Sequence, residues 1–168
     1  MISTFLVNNS AAVPIAFWLA VLVSAIVGWA LTRFAWRRAL VLVSGAALLG
    51  VLLLTMSPSS GEPEAFCAVQ FSIPFQGIDT LANLAMMLPL ALFGALATRR
   101  PVAVFAAASG LSALIELVQA LVAALGRACD TDDWFMNSIG AALGAIIAAG
   151  VLVLDAGRRT RAAASVRS

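Results

Sequence analysis

The chain has 168 residues, of which 62% are hydrophobic and only 11% charged, against about 25% charged in an average soluble domain. Its basic side chains are all arginine; the absence of lysine and histidine excludes a histidine zinc site, a Ser-His-Asp triad, a Schiff base and a P-loop. The mean hydropathy of +1.04 makes a bilayer the natural solvent, and the arginines are scattered beside apolar runs, without the extended basic patch that a nucleic acid would need.

A spanning helix needs about 20 mainly apolar residues, rising ~1.5 Å each. Five segments qualify, so the expected fold class is all-α: a polytopic membrane helix bundle, read as a single transmembrane domain over residues 1–168. The first span, Val13–Leu31, is preceded by no basic residue and followed by Arg33, Arg37 and Arg38, unlike a cleavable signal peptide. The second is Ala39–Met56. The connection Ser57–Ile78 contains the apolar stretch CAVQFSIPFQG (Cys67–Gly77), too short to span and broken by Pro74. It reads equally well as an interfacial or re-entrant piece and as a loop whose phenylalanines pack on the bundle.

The third span, Asp79–Thr98, opens with Asp79 and Asn83 at i, i+4, on one helix face. Pro89 within it frees a carbonyl and is expected to kink the helix. Arg99 and Arg100 lead into the fourth span, Pro101–Leu125, which carries Glu116 and Gln119 at i, i+3. A loop, Gly126–Asp133, brings Arg127, Cys129, Asp130 and Asp132. The fifth span, Trp134–Leu154, follows directly, with Asp133 and Asn137 again at i, i+4. Gly140 and Gly144 form a GxxxG that lets a neighbouring helix approach closely. The positive-inside rule places Arg33, Arg37, Arg38, Arg99, Arg100, Arg158, Arg159, Arg161 and Arg167 in the cytoplasm. That puts the N-terminus outside and the C-terminus cytoplasmic, and leaves Arg127 alone among aspartates on the outer side. Trp36 and Trp134 fall at interfacial positions.

Polar groups inside a membrane are costly and face the bundle interior. Asp79, Asn83, Glu116, Gln119, Arg127, Asp130, Asp132, Asp133 and Asn137 all fall near the outer mouth, and one polar ligand-binding pocket there accounts for the nine together. A lone carboxylate within a span is protonated or paired, so Glu116 is the central residue and Arg127 its expected partner, or that of the aspartates. Competing readings stay open: Asn83, Gln119 and Asn137 as interhelical glue, Asp133 as the cap of the fifth helix, and Asp130 and Asp132 as a solvated loop. Cys67 and Cys129 both lie in outer loops, where a disulfide persists, and are expected to bond.

Three stretches in this order resemble the VanZ-like family of integral membrane proteins. DTLANLAMMLPLALFGAL (Asp79–Leu96) is similar to its third-span motif, an Asn leading to a Pro and then a Gly, although Gly94 arrives later here. IELVQ (Ile115–Gln119) looks like its Glu-x-x-Gln element. RACDTDDWFMNSIGAALG (Arg127–Gly144) is similar to its Arg, acidic loop, Asp-x-x-x-Asn and small-residue ending. The motif region covers residues 79–148. The resemblance implies a multi-pass protein of the bacterial cytoplasmic membrane, linked to the cell envelope. The family takes its name from a protein associated with low-level resistance to teicoplanin, a glycopeptide antibiotic. By the same resemblance Asp79, Asn83, Glu116, Gln119, Arg127, Asp133 and Asn137 form the shared polar set.

The first functional expectation is a protein that meets membrane lipids and binds an envelope lipid or glycan headgroup at the outer pocket. No organic cofactor is expected. A divalent cation (Mg²⁺, Ca²⁺ or Mn²⁺) held by Asp79, Glu116, Asp130, Asp132 and Asp133 would instead make a membrane enzyme. A small proton-coupled transporter using Glu116, and an assembly factor whose polar cluster only organises the bundle, are the further alternatives.

Overall fold

The computed structural model describes residues 12–59 and 67–165. Among these are five long helices: α1 Ala12–Arg33, α2 Arg37–Met56, α3 Ile78–Thr98, α4 Pro101–Leu121 and α5 Thr131–Ser165. All five are long and apolar enough to cross a membrane. Arg167 lies outside the described residues.

The segments expected from hydropathy match these helices, with differences at the ends. The fourth stops at Leu121, and the chain turns through a single 3-10 turn, Ala123–Leu125, into Gly126, whose φ of 58° suits a residue without a Cβ. The fifth begins earlier and runs through Arg158 to Ser165. Its tail is rich in alanine and arginine, both strong helix formers, so nothing ends the helix where the apolar run ends.

α3 is the axis of the bundle. Its buried side chains face all round, whereas α1 and α2 bury only a few residues and turn Ile15, Leu19, Leu22, Leu42, Leu49 and Leu53 outward. Apolar surface displayed on that scale suits lipid rather than water. The closest approach is between α3 and α5. A Cβ on Gly140 would overlap the backbone of Leu84, and one on Gly144 would lie 2.5 Å from the Leu88 carbonyl oxygen. The GxxxG thus seats α5 against the α3 backbone. Around this seam lie three apolar clusters. Phe17, Leu81, Leu84 and Met136 occupy one end, Met87, Ala108, Ile115 and Ala141 the middle, and Leu40, Leu92, Phe93 and Val151 the other end.

The charges separate by end. Arg33, Arg37, Arg99 and Arg158 gather where α1, α3 and α5 approach their arginine-bearing ends. There Arg99 pairs with Asp155 at 2.7 Å, Arg37 Nε donates to the Ala97 carbonyl at 3.2 Å, and Arg158 lies 5.3 Å from the Trp29 ring centroid. Asp79, Glu116, Asp130, Asp132 and Asp133 collect at the opposite end.

Candidate functional site

The site is built where α3 begins, α4 ends and α5 begins. A strap from Cys67 to Gly77 crosses this end. Cys67 is disulfide-bonded to Cys129, as expected from their placement. Beside the bond, Ala68 N–H donates to the Cys129 carbonyl at 2.9 Å, and Thr131 N–H donates to the Ala68 carbonyl at 3.0 Å, forming a parallel bridge between Ala68 and Asp130. The strap continues in extended form. Gln70 N–H reaches Thr131 Oγ1 at 3.1 Å and Ser72 N–H reaches Asp132 Oδ1 at 2.7 Å. Val69, Phe71 and Ile73 are exposed, as are Gln70 and Ser72 between them. The strap is therefore an extended segment bonded to the start of α5. Phe71 meets Phe135 edge-on, and Phe75 stacks on Trp18.

In an extended chain successive N–H groups point to opposite sides. Cys129 and Thr131 face the strap, so Asp130 N–H turns into the bundle, where it donates to Glu116 Oε2 at 2.9 Å. Glu116 is buried, 7% exposed, and Asp130 and Asp133 are its neighbouring charges. The Asp130 side chain accepts from Asp132 N–H at 2.8 Å, the bond of an N-cap, and from Gln70 Nε2 at 2.6 Å. The cap of α5 is thus Asp130, not Asp133. Asp133 instead accepts from Asn83 Nδ2 at 2.5 Å, joining α3 to α5 beside the glycine seam. Asp79, one turn further out on the Asn83 face, is exposed at the rim.

The remaining three residues lie apart from this carboxylate group. Among the described residues Arg127 pairs with no carboxylate: its Nε donates to the Ser57 carbonyl at 3.0 Å and its terminal nitrogen to the Leu54 carbonyl at 2.9 Å. The expected ion pair with Glu116 or the aspartates is therefore corrected. The reason is that the last carbonyls of α2 have no intrahelical donor and carry the negative end of the helix dipole. Gln119 does similar work, donating to the Thr55 carbonyl at 3.0 Å. Asn137 is 2% exposed and donates to Ser112 Oγ at 3.0 Å, while its own Oδ1 has no hydrogen-bond partner.

Several participants went unread in the sequence. Ser109 and Ser112 precede Glu116 on the same face of α4, and Ser109 Oγ lies 2.8 Å from Ser138 Oγ. The helical spacing of Ser109, Ser112, Glu116 and Gln119 was a usable signal. Gln70, Ser72 and Thr131 carried no local signal, because only the bridge across the disulfide brings them in.

Among the described residues no three acidic, cysteine or histidine side chains are disposed to hold a metal ion. The carboxylates are turned to separate donors: Glu116 to the Asp130 amide, Asp133 to Asn83, Asp132 to the strap and Asp130 to its own helix.

The sequence match agrees with this geometry. The family model described as VanZ/LLP1 matches residues 15–154. The chain belongs to the VanZ-like family. The match to the VanZ-like model takes in α1 and α2, which carry no recognisable motif of their own, together with the three motif stretches. Among curated proteins and solved structures, none matches the chain. A VanZ-like chain with five apolar helices is a multi-pass membrane protein.

Proposed function

We propose that this VanZ-like protein sits in the bacterial cytoplasmic membrane with its carboxylate end outward. There it binds the hydroxyl-rich headgroup of an envelope lipid or glycan, and this binding lowers the action of teicoplanin-type glycopeptides. The observation that carries the reading is the excess of acceptors over cations at this end. Asp79, Glu116, Asp130, Asp132 and Asp133 cluster at the mouth, while Arg127 is engaged by backbone carbonyls. A bare phosphate would be repelled by that field, whereas sugar hydroxyls donate to carboxylates and amides. Glu116 supports the reading further. A buried carboxylate accepts up to about four hydrogen bonds, and the described residues supply this one with a single N–H.

The orientation follows from the arginines at the opposite end and the positive-inside rule. The test is glycopeptide susceptibility in a sensitive bacterium expressing wild type or Glu116→Gln at matched membrane levels. Wild type should raise the inhibitory concentration of teicoplanin, and the Gln variant should not. Equal protection by both would remove Glu116 from the activity. Protection by neither would detach the protein from resistance.

A further inference from the structure

At the opposite end of the bundle a cleft of about 270 Å³ opens between α1, α2 and α3. It is lined by Leu31, Thr32, Arg37, Leu40, Leu96 and Arg99, among others. Three features of it point to an anion. First, Thr32 is 8% exposed, and its Oγ1 is a buried hydroxyl with no hydrogen-bond partner among the described residues. Such a group costs free energy unless something else completes it. Second, two guanidinium groups flank the cleft and are only partly engaged. Arg37 uses its Nε on the Ala97 carbonyl and Arg99 one terminal nitrogen on Asp155. A guanidinium carries five N–H donors, so most of each fork remains to meet an oxyanion. Third, α2 starts here without a side-chain cap: Trp36 stands at its N-cap and makes no capping bond. Arg37 N–H is taken by the Ala35 carbonyl at 2.9 Å, so the Arg38 and Ala39 N–H groups and the positive end of the helix dipole remain at this end of α2.

The surroundings say which anion. At the same end of the bundle Trp29 lies beside Arg158 and Trp36 beside Phe34, aromatic side chains of the kind that mark the headgroup level of a membrane. Beside the cleft, Arg37 and Arg38 share a second groove with Val41 and Leu42, apolar side chains on the outward face of α2. An acyl chain can follow that face away from the arginines. We propose that the cleft between the arginine-bearing ends of α1, α2 and α3 binds the phosphate of an anionic phospholipid. The phosphate oxygens accept from Arg37, Arg99 and Thr32, and the acyl chains lie along α2.

The test is native mass spectrometry of the full-length protein in detergent, titrated with phosphatidylglycerol, phosphatidylethanolamine or glycerol 1-phosphate. Wild type should retain phosphatidylglycerol in preference to phosphatidylethanolamine, and glycerol 1-phosphate should not displace it at equal headgroup concentration. Arg37→Gln should weaken retention about fivefold, the worth of one basic residue at an anionic surface. Thr32→Val should also weaken it, while melting at or above the wild-type temperature without lipid, because it removes an unsatisfied hydroxyl. Those opposite signs are what a merely structural threonine would not give, and they read the cleft even if Arg37→Gln fails to fold. Equal retention by wild type and Thr32→Val, or no preference for the anionic lipid, overturns the proposal. Displacement by glycerol 1-phosphate also overturns it, and assigns the cleft to a soluble phosphate.

Discussion

Replacing Gly140 with alanine tests the seam that holds the carboxylate end together. The added Cβ would overlap the Leu84 carbonyl oxygen and lie 2.8 Å from Leu84 Cα and 2.9 Å from its carbonyl carbon. Carbon atoms pack no closer than about 3.5 Å, so the two backbones must part by roughly 0.7 Å. These are backbone atoms in a continuous helix, and no flexible side-chain end can swing away. A gap of that size forfeits a quarter to a half of each contact across it, out of about 40–60 contacts of about 0.1–0.2 kcal/mol for a buried leucine. With about half of the Leu84 contacts facing α5, the loss is about 1–2 kcal/mol, within the usual cost of overpacking a core. The assay is thermal or denaturant unfolding in detergent, followed by helical circular dichroism. Gly45, Gly110 and Gly150 are the controls: a Cβ on each would meet nothing within 4 Å. Alanine there should be neutral, or stabilising by up to about 1 kcal/mol through helix propensity. Gly140→Ala as stable as these controls would refute the close α3–α5 approach.

The Cys67–Cys129 bond joins residues 62 apart in sequence, for which chain entropy gives a contribution of about 4 kcal/mol. Intact protein should take up no alkylating reagent until reduced, then two equivalents, with a lower melting temperature after reduction. Arg127→Gln removes two charged donors from the end of α2 and should cost about 1–2 kcal/mol. Because Arg127 does not meet Glu116, its cost should be the same within about 0.5 kcal/mol in a Glu116→Gln background; a large coupling energy would restore the ion pair. Asn83→Ala and Asp133→Ala should show the opposite behaviour, coupling by about 0.5–3 kcal/mol in a double-mutant cycle, since each is the other's partner.

The spans were legible because a helix in lipid must be apolar along its whole length, a signal that needs no knowledge of neighbours. The polar residues within the spans were legible by depth for the same reason: Asn83, Glu116, Gln119 and Asn137 each stand out against an apolar background. Which of them bond was not legible. Arg127 was assigned by charge to the carboxylates, yet the open carbonyls of α2 lie nearer, and a helix end announces its unsatisfied groups only once it has a position in space. Asp133 gave way to Asp130 as the cap because α5 begins three residues before its apolar run. Gln70 and Ser72 reach the site only through the bridge beside the disulfide, some 60 residues from their partners.

The most direct test of headgroup binding at the carboxylate end is native mass spectrometry of gently extracted protein, comparing wild type with Glu116→Gln and Asp133→Asn. Folding of each is checked by its melting temperature. Wild type should carry a lipid or glycan with a hydroxyl-rich head that both folded variants release. If equally folded variants retain the same molecules as wild type, the carboxylate end binds no headgroup, and its hydrogen bonds serve only to fasten α3, α4 and α5 together.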